Sequence, residues 1–266
     1  MDLGLEGRAC VVTGASRGIG LAVAERLCRE GANVILVARS SDALDAAVAR
    51  CSSVDGEAAG VVLDVTDPDA GERIVAAAGE WFGSLDVLVN NAGTSRRHSL
   101  DEATDEDWQM AWELNVMAPL RATRAAIPGM VDRGWGRVVN VCSSAGKRPN
   151  PQTPEYSVAK AAELSMSRVF ADVYARRGVL VNAICPGPAK TELWMAPGGL
   201  LDQSMKAAGH GSREEALEAA GAGRPIGRLA EVPEIADAIV FLCSERASYV
   251  AGAAWSVDGG SVPVII

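Results

Sequence analysis

Seven short runs of apolar residues, spaced along the 266-residue chain, constrain its fold more than any other feature. Within these runs, apolar and polar residues do not alternate as they would in strands with one solvent-exposed face. Each run is apolar throughout, as expected for parallel strands covered on both faces. The runs are residues 9–13, 33–38, 59–64, 85–90, 137–142, 180–185 and 254–257. The sequence therefore predicts a seven-stranded parallel sheet.

Longer segments with helical periodicity separate these runs. Residues 20–31 place Leu21, Ala24, Leu27 and Cys28 on one stripe and end at Gly31, which is typical of an amphipathic helix. A repeating strand–helix order predicts a doubly wound α/β sheet with helices on both faces. No linker or repeat interrupts this pattern, so we expect residues 1–266 to form a single domain.

Charge and cysteine usage exclude several classes of protein. A formal net charge of −9 argues against a nucleic-acid partner and against an anionic membrane surface. The six cysteines form no C-x-x-C pair and the two histidines lie near none of them, so we expect no metal site. Neither a secretory signal nor a long apolar stretch is visible, and we expect a cytoplasmic protein.

A glycine-rich turn follows the first predicted strand. Its pattern is G-x-x-x-G-x-G, from Gly14 to Gly20, and a helical segment begins at once. Glycines in such a turn let backbone N–H groups approach a pyrophosphate at the helix N-terminus. The position of the turn between strand and helix predicts a dinucleotide site.

The end of the second strand favours NADP(H) over NAD(H). NAD binders usually carry Asp or Glu there for the ribose hydroxyls, whereas this chain has Ala38 followed by Arg39 and Ser40. Arg17 in the glycine turn adds a second positive charge for a 2′-phosphate. Asp64, which we expect to close the third strand, has two interpretations: it accepts from the adenine amino group, or it caps the following turn.

Tyr156 and Lys160 form a candidate proton-transfer pair. They are four residues apart in a predicted helix that starts near Thr153 and Pro154, so they share one face. An ammonium beside a phenol favours the phenolate and lowers the phenol pKa. Such a tyrosine exchanges a proton with a carbonyl or alcohol oxygen. The spacing alone has little specificity, because any long helix produces it by chance.

A serine at the end of the fifth strand strengthens the pair. Ser143 follows the apolar run 137–142, so its hydroxyl is expected at the carboxyl edge of the sheet, where ligands bind. There it would hydrogen-bond a substrate oxygen. Ser144 is equivalent on these grounds. No His–Asp pair accompanies either serine, so a hydrolase triad is unsupported.

Taken together, these segments closely resemble the short-chain dehydrogenase/reductase family along nearly the whole chain. The matching pieces occur in family order: T-G-A-S-R-G-I-G at 13–20, L-D-V at 63–65, N-N-A-G at 90–93, L-N-V at 114–116, S-S-A-G at 143–146, Y-S-V-A-K at 156–160, N-A-I-C-P-G-P-A-K-T at 182–191 and V-D-G-G at 257–260. The resemblance implies a Rossmann fold. It selects Ser143 over Ser144 and adds Asn115 as a fourth catalytic residue, which helps to hold a lysine-bound water.

The resemblance also implies cofactor contacts at the matched positions. The glycine turn would contact the phosphates and the ribose, and residues at the end of the third strand would contact the adenine. The N-N-A-G segment would line the adenosine side, and residues after the sixth strand would hold the carboxamide. Beside Arg39, Ser40, Tyr156 and Lys160, the expected cofactor-binding residues are Gly14, Ser16, Arg17, Gly18, Ile19, Gly20, Asp64, Val65, Asn91, Ala92, Gly93, Pro186, Gly187, Ala189 and Thr191.

These features predict an NADP(H)-dependent oxidoreductase that interconverts a ketone and a secondary alcohol, with a small-molecule substrate. The subgroup resemblance is to 3-oxoacyl-(acyl-carrier-protein) reductases. Oxidation of a steroid, sugar or other cyclic alcohol is an alternative, and a non-catalytic NADP-binding regulator is a remote one. We expect residues 193–228 to cover the substrate, with an apolar lining from Trp194, Met195, Leu200, Leu201 and Met205.

Self-association is also expected. Family resemblance implies a homotetramer, or at least a dimer, with contacts through the helix after Tyr156 and through the terminal segment 257–266, which ends in the apolar tail 262–266. An apolar tail of this kind is rarely left in water, which supports association independently.

Overall fold

The strand order places the first and fourth strands side by side at the centre of one parallel sheet. The computed structural model describes residues 1–52 and 56–263. Within them the sheet runs in the order β3-β2-β1-β4-β5-β6-β7, and every neighbouring pair is parallel. The strands are β1 (Ala9–Thr13), β2 (Asn33–Ala38), β3 (Ala58–Val62), β4 (Val87–Asn90), β5 (Gly136–Val141), β6 (Val179–Pro186) and β7 (Ala254–Val257).

Helices connect these strands and cover both faces of the sheet. They are α1 (Gly18–Arg29), α2 (Ser41–Cys51), α3 (Ala70–Phe82), α4 (Asp105–Trp112), α5 (Ala118–Asp132), α6 (Ser144–Lys147), α7 (Pro154–Tyr174), α8 (Glu192–Met195), α9 (Leu200–Ala208), α10 (Arg213–Ala222) and α11 (Val232–Cys243). The helices α1 and α2 begin a few residues after the carboxyl ends of β1 and β2. A wide helical turn, Glu113–Met117, joins α4 to α5.

Two apolar cores, one on each face, hold the helices to the sheet. Alternate strand residues point to opposite faces, so Cys10 and Val12 pack in one core while Val11 packs in the other. Helices α1 and α11 contribute to the first core, and α3 and α5 to the second. Because both faces are covered, β1 is buried at every position. This burial explains why the segment of β1 is apolar throughout, whereas the outer strands β3 and β7 are partly exposed.

The predicted fold is confirmed, with small differences at strand ends. The third strand ends at Val62, so Asp64 lies two residues beyond it, and the prediction that Asp64 closes the strand is wrong. The fourth strand begins at Val87 rather than at Leu85. Residues 264–266 of the predicted contact tail lie outside the described residues.

The reversal of strand order between β1 and β4 creates the opening where a ligand binds in folds of this kind. Polar groups fix the two strand ends against each other. The Thr13 hydroxyl accepts hydrogen bonds from the backbone N–H groups of Asn91 (2.9 Å) and Ala92 (3.0 Å). The Asn91 side chain donates to the Thr13 carbonyl at 2.9 Å. This edge of the sheet is therefore a fixed platform for the site.

Candidate active site

A cleft of about 1190 Å³ lies along the carboxyl ends of the strands. Most of the residues predicted for the site line this cleft: Gly14, Ser16, Arg17, Gly18, Ile19, Arg39, Asp64, Val65, Asn91, Ala92, Gly93, Asn115, Ser143, Tyr156, Lys160, Pro186, Gly187, Ala189 and Thr191. Two predicted residues do not line it. Gly20 packs behind the glycine turn, and Ser40 is exposed just before α2.

The glycine turn is shaped by close approaches of the backbone. Gly14 has φ +64°, and a Cβ there would lie 2.8 Å from the Ala92 Cα. A Cβ on Gly20 would lie 2.4 Å from the Asn91 amide nitrogen, so Gly20 serves the packing of the turn. Substitution at either glycine would push the turn away from β4.

The start of α1 fits the pyrophosphate of a dinucleotide. Arg17 precedes the helix and makes no side-chain cap, and the first turn carries no acidic residue. The first N–H groups therefore keep their donor capacity, and the positive end of the helix dipole faces the cleft. These residues suit a nicotinamide dinucleotide, which would supply or accept a hydride.

Arg39 and Asp64 stand at the adenosine end of the cleft. The Arg39 guanidinium lies 3.8 Å from the Asp64 carboxylate and its side chain is 79% exposed, so this ion pair holds it weakly. Asp64 accepts from the backbone N–H (3.0 Å) and hydroxyl (2.7 Å) of Thr66. These hydrogen bonds, led by the backbone one, lower the pKa of Asp64. Of its two interpretations, the turn cap is therefore present in the structure.

Helix α7 places Tyr156 and Lys160 on its buried face. Pro154 begins the helix and Thr153 precedes it, as predicted, although the Thr153 side chain makes no cap hydrogen bond. The Lys160 ammonium lies 5.8 Å from the centre of the Tyr156 ring. Ser143 stands just before α6, where its hydroxyl accepts from the Ala145 N–H at 3.1 Å. Ser144, the rival candidate, also lines the cleft.

The net effect on the Tyr156 phenol differs from the one predicted. Burial raises its pKa, and the opposing effects of the Lys160 charge and a Ser143 hydrogen bond are smaller. The Lys160 charge lowers the pKa of Tyr156, as predicted. The predicted net lowering of that pKa is wrong, because burial raises it more. Tyr156 is consequently a neutral phenol at neutral pH, the form that donates a proton.

Lys160 has a buried acidic partner that the sequence interpretation missed. Its ammonium donates to the Glu163 carboxylate at 2.8 Å and to the Val141 carbonyl at 2.9 Å. The two charged side chains are 3% and 2% exposed. Burial is the largest single effect and lowers the pKa of Lys160, but the Glu163 carboxylate, together with Tyr156 and Cys142, raises that pKa overall. The i, i+3 spacing within α7 is the signal that was available for this pair.

Asn115 lies in the wide helical turn between α4 and α5. Its amide nitrogen donates to the Ala111 carbonyl at 2.9 Å, while its side-chain oxygen is buried without a partner among the described residues. A Cβ on Gly93 would lie 3.2 Å from that oxygen and 3.7 Å from the Lys160 ammonium. The turn thus aims an unused acceptor toward the lysine end of the cleft.

The substrate end of the cleft is less apolar than predicted. Of the five residues expected to line it, Trp194 and Leu200 do so. Leu201 is 1% exposed and packs inside the covering segment, and neither Met195 nor Met205 belongs to the cleft wall. Charged residues take their place, because this wall also includes Arg96, His98, Arg148, Glu155 and Arg224.

His98 and Glu155 form a second buried pair that the sequence interpretation missed. The His98 Nε2 and a Glu155 carboxylate oxygen are 2.8 Å apart, and the side chains are 9% and 6% exposed. The His98 backbone N–H also donates to the Gln152 carbonyl at 3.1 Å. No local sequence signal links these residues, because 57 positions separate them.

The described residues show neither a metal-binding cluster nor a membrane-spanning helix. No cluster of His, Cys, Asp or Glu in that part of the chain has the arrangement of a metal site. No described helix is both long enough and apolar enough to cross a membrane.

Comparison with known proteins agrees with the geometry. The family model described as Enoyl-(Acyl carrier protein) reductase matches residues 14–261. The 3-oxoacyl-(acyl-carrier-protein) reductase FabG of Vibrio cholerae is 36% identical over 97% of this chain and 98% of its own. Gluconate 5-dehydrogenase of Gluconobacter oxydans is 36% identical over 96% of this chain and 95% of its own.

A solved structure supports the same family assignment. L-sorbose reductase of Gluconobacter frateurii, complexed with NADPH and L-sorbose, superimposes with a TM-score of 0.92 at 37% identity and full coverage of both chains. The chain belongs to the short-chain dehydrogenase/reductase family, a family of oxidoreductases.

Proposed function

We propose that the protein is an NADP(H)-dependent oxidoreductase that interconverts a ketone and a secondary alcohol. The observation that carries the proposal is the grouping of Ser143, Tyr156 and Lys160 in the cleft whose other end is the glycine turn. A proton donor and a dinucleotide site in one cleft are the two requirements of carbonyl reduction by hydride transfer.

A bound NADPH, held by the glycine turn and the start of α1, would supply the hydride for the carbonyl carbon and would leave as NADP⁺. Ser143 holds the carbonyl oxygen through its hydroxyl, and Tyr156 gives that oxygen its phenolic proton. Lys160, held charged by Glu163, stabilises the phenolate that remains and grips the nicotinamide ribose. Asn115 supports the proton relay that restores the phenol. Alcohol oxidation runs through the same groups in reverse.

The preference for NADP(H) is supported by charge at the adenosine end. Ala38 closes β2 without a carboxylate, while Arg17 and Arg39 are exposed at the cleft. A charge-assisted hydrogen bond contributes about 1.5–3 kcal/mol, so two of them favour the phosphorylated cofactor by about 100-fold or more. The structural neighbour solved with NADPH agrees with this assignment.

Residues 193–228 are proposed to cover the substrate as a lid on the single domain. They supply α8, α9 and α10, and the lid residues Leu193, Trp194, Leu200 and Arg224 line the cleft. Relatives include reductases named for 3-oxoacyl thioesters and for sugars, so both are candidate substrates.

Assembly into a homotetramer or dimer is part of the proposal. Helix α7 leaves Val158, Val169 and Val173 at 46–61% exposure, and Trp255 on the last strand is 40% exposed. Apolar side chains on one long helix suit a helix–helix contact between copies. Light scattering showing a monomer would contradict this part. A cytoplasmic location is supported by the six cysteines, all free and buried.

A screen of the purified protein tests the proposed function. Nicotinamide absorbance is followed with NADPH and with NADH against linear, cyclic and hydroxylated ketones and a 3-oxoacyl thioester. We expect oxidation of NADPH with at least one ketone. Binding of NADPH without turnover of any substrate, in either direction, would instead support a non-catalytic regulator.

A further inference from the structure

The charged residues that line the substrate end of the cleft have hydrogen-bonding capacity that an alkyl or acyl chain would not use. Glu155 is 5% exposed, and within the described part of the chain its carboxylate bonds only to His98. An ionised carboxylate has about four acceptor positions on two oxygens, so most of its capacity is unused. Glu155 and Tyr156 both line the cleft, so this capacity lies in the same cleft as the proposed proton donor.

Two further polar atoms at the same end of the cleft are buried without a partner in the described residues. They are the Ser95 hydroxyl oxygen and the Arg224 Nε, and both residues line the cleft. Because each atom has no partner among these residues, a polar ligand group that reached it would gain a hydrogen bond that an apolar ligand could not make.

We propose that the substrate is a polyhydroxylated ketone or the matching polyol, with a hydroxyl that donates to Glu155. This inference rests on the proposed function and deepens it by naming the substrate class. His98 holds the Glu155 carboxylate through the 2.8 Å contact, so that one oxygen is engaged and the other keeps its acceptor capacity for a substrate hydroxyl. The acyl part of a 3-oxoacyl thioester has no hydroxyl for this carboxylate.

The first test compares substrates of the unmodified protein. Fructose and sorbose are assayed with NADPH beside cyclohexanone and an acetoacetyl thioester, which lack the hydroxyl groups. We expect kcat/KM for at least one ketohexose to exceed both others by about 10- to 100-fold, the factor that one hydrogen bond to a charged group contributes. Equal or faster turnover of cyclohexanone or the thioester would overturn this inference and leave the proposed function intact. No turnover of any ketone would reject the proposed function itself.

The second test removes the acceptor. Glu155→Leu should lower kcat/KM for the ketohexose by about 10- to 100-fold while changing that for cyclohexanone by less than about threefold. A parallel loss on both substrates would show that the pair only shapes the helix start, and would overturn the inference. If Glu155→Leu does not fold, Glu155→Gln keeps the size of the side chain and replaces the charged acceptor by a neutral amide. It should lower kcat/KM for the ketohexose by a smaller factor and leave that for cyclohexanone unchanged, and a parallel loss on both substrates would again overturn the inference.

A carboxylate outside the cleft provides the matched control. Glu25 on α1 pairs with Arg50 at 2.6 Å and is 18% exposed. Glu25→Leu also removes a carboxylate that is mostly shielded from solvent. We expect the ratio of kcat/KM for the ketohexose to kcat/KM for cyclohexanone to be the same in this variant as in the unmodified protein. A ratio that falls as it does in Glu155→Leu would count against a local role for Glu155.

Discussion

The two ends of the cleft are built in different ways. The proposed cofactor end consists of strand ends and a glycine turn, fixed by hydrogen bonds to backbone groups such as those of Thr13 with Asn91 and Ala92. The proposed substrate end consists of a loop and the three helices of the proposed lid, joined by pairs of charged side chains. These pairs include His98 with Glu155 and Arg213 with Asp202. Backbone shape therefore defines the proposed cofactor site, whereas charged side chains define the proposed substrate site.

The largest effect is expected at Tyr156, where the two ends meet. Tyr156→Phe removes the phenolic proton but keeps the ring, so kcat should fall by about 10²–10⁴-fold. The Kd for NADPH, measured by nucleotide fluorescence, should stay close to that of the unmodified protein. Near-normal turnover would refute the assignment of Tyr156, and a large loss of NADPH affinity would refute the separation of the two ends.

The Lys160–Glu163 pair should show the next largest effect, on stability. Glu163→Leu leaves Lys160 as an unpaired buried charge, which costs about 3–5 kcal/mol in the free energy of unfolding. Denaturant unfolding measures this loss. The double variant Lys160→Met with Glu163→Leu should recover most of it, because both charges are then gone. Equal destabilisation of the single and double variants would mean that the ion pair is not the cause.

Glu163→Gln separates charge from hydrogen bonding at the same position. The amide oxygen still accepts from Lys160, so this variant should fold better than Glu163→Leu. Its pH–rate profile should shift, since the lysine loses the carboxylate that raises its pKa. A profile identical to that of the unmodified protein would show that Glu163 has no influence on the proton donor.

A change confined to the cofactor end should alter cofactor choice alone. Arg39→Asp replaces a cation for the 2′-phosphate by a carboxylate for the ribose hydroxyls. We expect the ratio of kcat/KM for NADPH over NADH to fall by about 100-fold, while the ranking of ketones stays unchanged. An unchanged ratio would refute the role of Arg39. A reordered ketone ranking would show that the two ends are coupled.

The smallest effect is expected in the lid. Arg213 joins its helices, since it pairs with Asp202 and donates to the Met195 carbonyl at 2.6 Å. Arg213→Ala should raise KM for the ketone by about three- to tenfold through a looser lid. The Kd for NADPH serves as the internal control. A rise in that Kd matching the rise in KM would contradict a role restricted to the substrate end.

The difference between the two ends also explains what could be predicted from sequence. The glycine turn, the absence of a carboxylate at Ala38 and the spacing of Tyr156 and Lys160 are local patterns with local physical causes. The central strands, such as β1 and β4, were predictable because burial on both faces leaves an uninterrupted apolar run. Strand ends such as Val62 were less certain, because the last ladder hydrogen bonds depend on the neighbouring strand.

The substrate end could not be predicted in the same way. His98 and Glu155 meet only because the loop after β4 folds against the start of α7, which no sequence spacing encodes. Leu201 and Met205 have a helical apolar pattern, but periodicity does not tell which side packs within the lid and which faces the cleft. The net pKa direction of Tyr156 likewise depends on burial, which outweighs the lysine charge.

The direction of the Asn115 side chain depends on the number of residues in the wide turn Glu113–Met117. A regular helix advances 100° per residue, and a wide turn holds one residue more than a regular path of the same length. Deleting a single residue there would rotate the Asn115 side chain by about 100° relative to α5. No chemical group of the site would be lost, yet its acceptor would point away from Gly93. The proposed proton relay therefore depends on helix length as well as on residue identity.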